Sequence, residues 1–397
     1  MPDDESVRSD VLGALNLQDA TLRRSDRYRL VTKDDLTDAQ REEVGSLADH
    51  PDFCALVLPD DAAASVKAVD YDAAALLSLL RRPRSLPDQF SDAESRRNVL
   101  RLILDGILEV DLDGAFVSGR DAYERLSVPP VRPPDCPTET AILSRRAIHF
   151  GLQLNLQNTA ALAARLYTFH RRPPTPSFFR EVPSASAARR ALRLAPSPPA
   201  VRGDWKEEMR GPAADASAPR DGDRYWLVFR PRDPAYPADR TDSSGHKIYV
   251  SPRPTRVPDA FDTVAETISP EHVYRFKVAR HPWGWLRPDK FVLYLRDEAS
   301  FRQTAAALTD AFADQSGHGV PFTGALGDGP LLSWGVDPSL EEFNAEWRDP
   351  GSWRVGITNT LAQAIVDAQR WGISSPETYA HVRVRLEGVD PNTWTPG

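Results

Sequence analysis

The segment His246-Lys247-Ile248-Tyr249-Val250-Ser251 decides the fold, because apolar and polar residues alternate along it. In a β-strand this alternation places Lys247 and Tyr249 on one face and Ile248 and Val250 on the other. Three further segments share the period of two and are rich in aromatic and β-branched residues: 224–230 (RYWLVFR), 273–279 (VYRFKVA) and 290–295 (KFVLYL). The pattern predicts a mainly antiparallel sheet in the C-terminal half of the chain.

Helices are expected to cover one face of this sheet. The helix-like segments are 256–268, 298–315 and 357–371, and 381–386 (HVRVRL) alternates like a last strand. The predicted fold class is therefore α+β, an N-terminal mainly helical module followed by a mainly antiparallel sheet domain with helices on one face.

The N-terminal half has a helical period instead. Helices are predicted at 37–47, 69–80, 91–106, 138–157, 159–170 and 184–194, with a hairpin at 107–118 that turns at Asp113-Gly114. The predicted divisions are a helical module at 1–128, a proline-rich linker at 129–137, a helical segment with a flexible loop at 138–220, and an α+β domain at 221–397.

Composition excludes several classes of protein. The chain has 397 residues, a net charge of −8 and 41% hydrophobic residues, which is too apolar for a wholly disordered chain. It contains no run of about 18 apolar residues and no basic-then-apolar leader, so we expect a cytoplasmic protein without a membrane partner. Its acidic balance argues against a nucleic-acid partner. Two cysteines are too few for a disulfide scaffold or a thiolate metal site.

Common catalytic motifs are absent from the sequence. There is no phosphate-binding G-x-x-x-x-G-K-[ST] loop, no G-x-G-x-x-G, no G-x-S-x-G and no H-E-x-x-H. The eight histidines are scattered along the chain. We therefore expect neither a metal site nor a cofactor.

A set of cations and phenols on the predicted strands remains as the candidate site. If the strands are neighbours, Lys247, Tyr249, Lys277, Arg287 and Tyr294 converge, and several cations without an acidic residue on those faces suit a phosphate group. The alternative is that they are charged heads on the solvated face of a half-exposed sheet, and spacing alone favours this alternative.

The order of these motifs resembles that of the phosphothreonine lyase effectors. In those enzymes a K-x-H strand is followed by a lysine-rich K-V strand, an arginine and an aromatic-x-L-Y strand. Residues 164–371, including Ala164-Arg165-Leu166-Tyr167 and Arg224-Tyr225-Trp226, are more similar to the HopA-type effector family. Bacterial relatives of that family occur beside a kinase-like protein in gene clusters for class V lanthipeptides and thioamitides, and are thought to eliminate phosphate from phosphoserine or phosphothreonine.

The resemblance implies a lyase that leaves a dehydroamino acid in a phosphorylated, ribosomally made precursor peptide and needs no cofactor. Lys247 matches the lysine of the K-x-H strand and would be the base, with its pKa lowered by Arg253, Lys277 and Arg287. Lys277 and Arg287 match positions that hold phosphate, and Tyr294 matches the strand tyrosine. The N-terminal module would bind the peptide leader or the kinase-like partner.

The general acid stays open, because Tyr249 stands where the lyases have histidine. His246 is adjacent to Lys247 but on the opposite face, and His281 is a loop candidate. Arg354 lies just before a helix and could reach a phosphate, or could be a solvated arginine. The alternative function is a non-catalytic partner that binds the phosphopeptide or the kinase.

Overall fold

The computed structural model describes residues 20–60, 66–126, 137–196, 198–208, 225–236, 245–337 and 352–397. Within them it combines helices with antiparallel sheets, which confirms the α+β class. The predicted linker lies outside the described residues except for Pro137, as does much of the loop predicted before residue 220.

Residues 20–126 form a module of helices and two small sheets. Its helices are α1 (Asp38–Val44), α2 (Tyr71–Leu79), α3 (Ala93–Leu104) and α4 (Gly119–Arg125). Its strands are β1 (Thr21–Arg24), β2 (Tyr28–Thr32), β3 (Ala55–Pro59), β4 (Lys67–Val69), β5 (Arg84–Ser85), β6 (Leu108–Leu112) and β7 (Ala115–Val117), paired in the orders β5-β1-β6-β7 and β2-β3-β4. The predicted hairpin is confirmed as β6 and β7. Strands of two to five residues are too short for alternation to reveal them, so this module holds more strand than its sequence indicates.

Four helices connect this module to the large sheet: α5 (Glu139–Leu154), α6 (Thr159–Tyr167), α7 (Pro176–Glu181) and α8 (Ala185–Ala191). The predicted break between α5 and α6 is confirmed, because Asn155 adopts a left-handed conformation with φ of 48° and the Asn158 side chain accepts a hydrogen bond from the Ala161 N–H at 2.8 Å. This break directs α6 so that Tyr167, at its end, reaches the large sheet.

The large sheet has eight antiparallel strands in the order β14-β15-β11-β13-β12-β10-β9-β8. Their bounds are β8 (Val201–Arg202), β9 (Trp205–Glu207), β10 (Trp226–Pro231), β11 (His246–Val250), β12 (Val273–Ala279), β13 (Phe291–Leu295), β14 (Gly324–Ala325) and β15 (Leu332–Val336). In the register, Tyr294 lies opposite Lys247 on one side and Arg275 on the other. Val292 lies opposite Tyr249 and Lys277 in the next row. All of these residues therefore share one face.

The opposite face packs on helices α9 (Val257–Thr267), α10 (Pro282–Trp285) and α11 (Glu298–Ala311), with Ile248, Phe276 and Leu293 buried among Phe261 and Leu308. The polar face is only partly open to solvent, since Arg275 and Lys277 on it are half-buried. It is partly covered by Tyr167 from α6 and by Arg354 from α12 (Trp353–Trp371), which packs on β15. A Cβ at Gly335 would clash with the Trp353 ring, so glycine permits this close approach.

The predicted strand at 381–386 is wrong. These residues lie in α13 (Pro376–Leu386), which packs on α12. The alternation of valine and arginine is misleading because it indicates one buried and one solvated face. Arg383 is in fact buried, and its guanidinium donates to Asp105 at 2.6 Å.

One hydrophobic core joins the N-terminal module, α5, α6, α12 and α13, and so includes residues from both sides of 129–137. The predicted domain divisions stay a prediction. The last two strands, β16 (Val389–Asp390) and β17 (Thr395–Pro396), form a separate pair.

Candidate active site

Three cations from adjacent strands surround the Tyr294 ring. The amine of Lys247 on β11 lies 4.8 Å from the ring centre, and the amine of Lys277 on β12 lies 5.4 Å from it. The guanidinium carbon of Arg275, also on β12, lies 4.4 Å from the same centre. The structure therefore brings together two lysines and a tyrosine that the sequence singles out, and adds an arginine two residues before Lys277.

Lys247 is held by a carboxylate. Its side chain is 6% exposed and forms an ion pair with Asp337, the residue that follows β15. Asp337 is oriented by the backbone N–H of Trp353, which donates to it at 2.9 Å. The ion pair leaves the Lys247 amine engaged with a carboxylate rather than directed at a substrate.

Lys277 has no such partner. It is half-buried, its amine lies 4.6 Å from the centre of the Trp226 ring, and it forms no ion pair within the described residues. Desolvation lowers the pKa of Lys277 to about 8; the charges of Arg275 and Arg287 act in the same direction, and the charges of Asp289 and Asp337 oppose it. Such an amine is partly neutral near physiological pH and can accept a proton.

Arg287 and Arg354 meet at one buried carboxylate. Arg287 donates two hydrogen bonds of 2.9 Å to Asp289, Arg354 approaches it at 3.1 Å, and the Tyr167 hydroxyl donates to it at 3.0 Å. Although burial alone would raise it, the two guanidinium groups hold the pKa of Asp289 well below its usual range. Burial and the Asp289 charge raise the pKa of Tyr167 to about 12. This network fixes Arg287 against the Trp226 ring, 5.5 Å from its centre.

Arg354 is a buried residue rather than a solvated one. Its side chain is 1% exposed and lies 4.5 Å from the centre of the Tyr167 ring. It donates to the carbonyl oxygens of Pro321 at 3.1 Å and Tyr167 at 2.8 Å. These bonds join α12 to α6 and to the loop before β14.

The remaining sequence candidates are placed differently. Tyr249 shares the site face and is buried, and burial together with the Asp337 charge raises its pKa well above the usual value, so its phenol keeps its proton. His246 lies on the opposite face, where its ring stacks on Phe301 at 5.1 Å. Arg253 is exposed, and within the described residues its side chain contacts none of the cluster.

Five residues of the cluster are not among the site residues chosen from the sequence: Tyr167, Trp226, Arg275, Asp289 and Asp337. Tyr167 and Trp226 appear there only within the segments that carry the resemblance, and the alternation on β12 already places Arg275 on the face of Lys277. Asp337 could not be found, because its position depends on the register of β15 with β11. Asp289 and Tyr167 are 122 residues apart and meet only in the folded chain.

Among the described residues, no group of histidine, cysteine, aspartate or glutamate side chains has an arrangement that could hold a metal ion. None of the described helices is long and apolar enough to cross a bilayer.

No protein-family model matches the sequence, and a search of curated proteins finds no match. Solved structures give partial likenesses. An effector protein from Pseudomonas syringae pv. tomato strain DC3000 is 13% identical, with 64% of this chain and 98% of that chain covered and a TM-score of 0.40. The Chromobacterium violaceum phosphothreonine lyase effector VirA (SpvC) is 14% identical, with 48% and 86% covered and a TM-score of 0.27. The phosphothreonine lyase SpvC from Salmonella is 14% identical, with 48% and 89% covered and a TM-score of 0.25. At these TM-scores the likenesses do not determine the function.

Proposed function

We propose that this protein is a lyase that eliminates phosphate from phosphoserine or phosphothreonine in a ribosomally made precursor peptide, leaving a dehydroamino acid. The observation that carries the proposal is the amine of Lys277, which has a pKa of about 8 and lies among cations without a carboxylate of its own. Such an amine is suited to remove a proton near neutral pH.

The charge of the site supports a phosphate substrate. Lys247, Arg275, Arg287 and Arg354 are cations, and Asp289 and Asp337 supply the carboxylates that face them. With Lys277 neutral, about two positive charges remain, which match a phosphomonoester of charge about −2 at neutral pH. Arg275 has no carboxylate partner among the described residues and is free to meet this charge.

The elimination balances with these groups. Neutral Lys277 removes the α-proton of the phosphorylated residue, and the electron pair of that bond becomes the Cα–Cβ double bond. The Cβ–O bond breaks, its electrons stay on the leaving oxygen, and that oxygen takes a proton from the general acid, so that the dianionic ester leaves as hydrogen phosphate. Lys247, Arg275 and Arg287 stabilise this leaving dianion.

This assignment exchanges the roles that the resemblance implies for the two lysines. Lys247 is paired with Asp337 and acts as a cation, whereas unpaired Lys277 acts as the base. Tyr249, a neutral phenol on the site face, is the candidate acid for the leaving oxygen. His246 is not assigned this role, because it stacks on Phe301 across the sheet.

The proposed partners are a phosphorylated precursor peptide and a kinase-like protein that phosphorylates it. Within this proposal the N-terminal module binds the peptide leader or the kinase. The alternative is a protein that binds the phosphopeptide without changing it, since the same cations would hold phosphate without chemistry.

The test is to incubate the purified protein with a phosphoserine peptide and to follow peptide mass. Loss of phosphoric acid in the wild type and its absence in Lys277→Ala support the lyase. Lys206→Ala, an exposed lysine on β9 of the same sheet, is the matched control and should retain activity. Binding of the phosphopeptide without any change in mass would support the alternative and refute the lyase.

A further inference from the structure

An exposed tryptophan lies on α10, in the segment that leads into Arg287. Trp283 is 53% exposed, whereas Trp285, two residues later, is 1% exposed. The Trp283 ring packs on Phe179 of α7, with the ring centres 4.7 Å apart. A large apolar side chain left this accessible is typical of a surface that contacts another molecule.

Trp283 is held firmly in place. Its helix, α10, is anchored by the buried Trp285 indole, whose N–H donates to the Ala279 carbonyl oxygen at 2.9 Å. A Cβ at Gly284 would lie 2.6 Å from the Ala279 Cβ, so glycine is required for this close packing. Arg171 donates to the Trp283 carbonyl oxygen at 3.1 Å. A tryptophan on a fixed backbone, with its ring packed on Phe179, loses less entropy on binding than one on a flexible loop.

The same segment continues directly into the phosphate-binding residues. The Arg287 N–H donates to the Gly284 carbonyl oxygen at 3.1 Å, so Trp283 and Arg287 lie on consecutive turns of one short segment. The charge of Arg287 also reaches Arg171, whose pKa is lowered by partial desolvation and by that charge. Arg171, which donates to the Trp283 carbonyl oxygen, therefore connects the α10 segment with Arg287.

The charges near Trp283 suit an anionic peptide. Arg171 and Arg172 are exposed, and within the described residues neither forms an ion pair. The Arg172 N–H donates to the Leu286 carbonyl oxygen at 2.8 Å, which holds this cationic pair beside α10. A phosphopeptide brings negative charge to this surface, which complements the two arginines.

We propose that Trp283 and Phe179, with Arg171, form a subsite for an apolar or aromatic side chain of the substrate peptide. In an extended peptide, residues two or three positions from the phosphorylated residue lie about 7–10 Å away from it. The inference rests on the proposed function, because it takes the phosphopeptide as the occupant. It adds sequence selectivity that the cation cluster cannot supply.

The experiment compares phosphoserine peptides with alanine flanks. Phenylalanine is placed in turn at each of three positions on either side of the phosphoserine. In the wild type, one position should lower KM by about 2- to 10-fold, the factor expected for one aromatic contact, with kcat unchanged. Trp283→Ala should abolish this preference and leave elimination from the alanine peptide intact. Tyr71→Ala, which removes a 59% exposed aromatic from the N-terminal module, should keep the preference.

Binding is measured separately with Lys277→Ala and labelled peptides, by fluorescence anisotropy. Suppose that the wild type does not eliminate phosphate. If Lys277→Ala then binds the phenylalanine peptide more tightly and the double variant Lys277→Ala with Trp283→Ala does not, the proposed function fails and the subsite stands. If elimination proceeds and no position of phenylalanine lowers KM, the subsite is refuted. If Trp283→Ala abolishes binding of the kinase-like protein while the peptide KM values stay unchanged, the peptide subsite is refuted and this surface is a protein interface.

Discussion

Lys277 should give the elimination reaction its pH dependence. Its pKa is about 8, against 10.5 for an ordinary lysine, because its ammonium is desolvated and lies near Arg275 and Arg287. At pH 7.5 roughly a quarter of such amines are neutral, against roughly one in a thousand for an ordinary lysine. The rate should therefore rise with pH and level off above about pH 8.5.

The assay is kcat/KM for a phosphoserine peptide from pH 6.5 to 9.5, followed by release of inorganic phosphate. Over this range the substrate phosphate is already mainly dianionic. The rate at pH 6.5 should be about 30-fold below the plateau, from an apparent pKa of about 8. Lys277→Ala should lower the plateau by about 100-fold or more. A plateau that persists in Lys277→Ala with the same apparent pKa would refute the assignment of the base.

Stability provides an independent check on the same amine. The folded-state pKa of Lys277 is below the unfolded value, so burying the ammonium destabilises the fold at pH 7, and this cost disappears as pH rises from about 8 to 10.5. Lys277→Met should therefore raise the free energy of unfolding at pH 7 by up to roughly 3 kcal/mol while abolishing activity. Urea denaturation at pH 7 and pH 10 measures this difference, and an unchanged or lowered stability at pH 7 would contradict the burial argument.

Three further predictions use neighbouring residues. Tyr249→Phe should lower kcat by about 10-fold or more if the phenol is the acid, whereas His246→Ala should leave kcat within about 2-fold; equal losses, measured by phosphate release, would contradict this. Asp289→Asn should destabilise the protein by about 3 kcal/mol, because the buried guanidinium of Arg354 and the half-buried one of Arg287 lose their carboxylate, and a change near zero in thermal unfolding would contradict this. Arg275→Gln should shift the pH profile to higher pH, since a positive charge near Lys277 is removed, and should raise KM; a shift to lower pH would contradict it.

The central strands of the sheet could be predicted from the sequence almost to the residue. Period-two alternation predicts β11 at 246–251 and β12 at 273–279, and the structure has them at His246–Val250 and Val273–Ala279. The same signal failed at 381–386, because a helix packed on both sides buries Arg383 as well as its valines. Alternation reports burial on one face and cannot identify an element that is buried all round.

The candidate site could be predicted only in part. Strand faces suggest that Lys247, Lys277 and Tyr294 meet, but they do not say which lysine has a carboxylate partner. That depends on Asp337, whose contact with Lys247 follows from the register between β11 and β15. The base could therefore be chosen between the two lysines only from coordinates.

Asp289 has a consequence for how the active form of the protein arises. Its carboxylate receives Tyr167 from α6, Arg287 from its own loop and Arg354 from α12. These segments are far apart in the sequence, so a nascent chain cannot complete this network until its last long helices have been synthesised and docked. Under the proposed function, only fully assembled molecules would act on phosphopeptides, and partly folded intermediates would leave them intact.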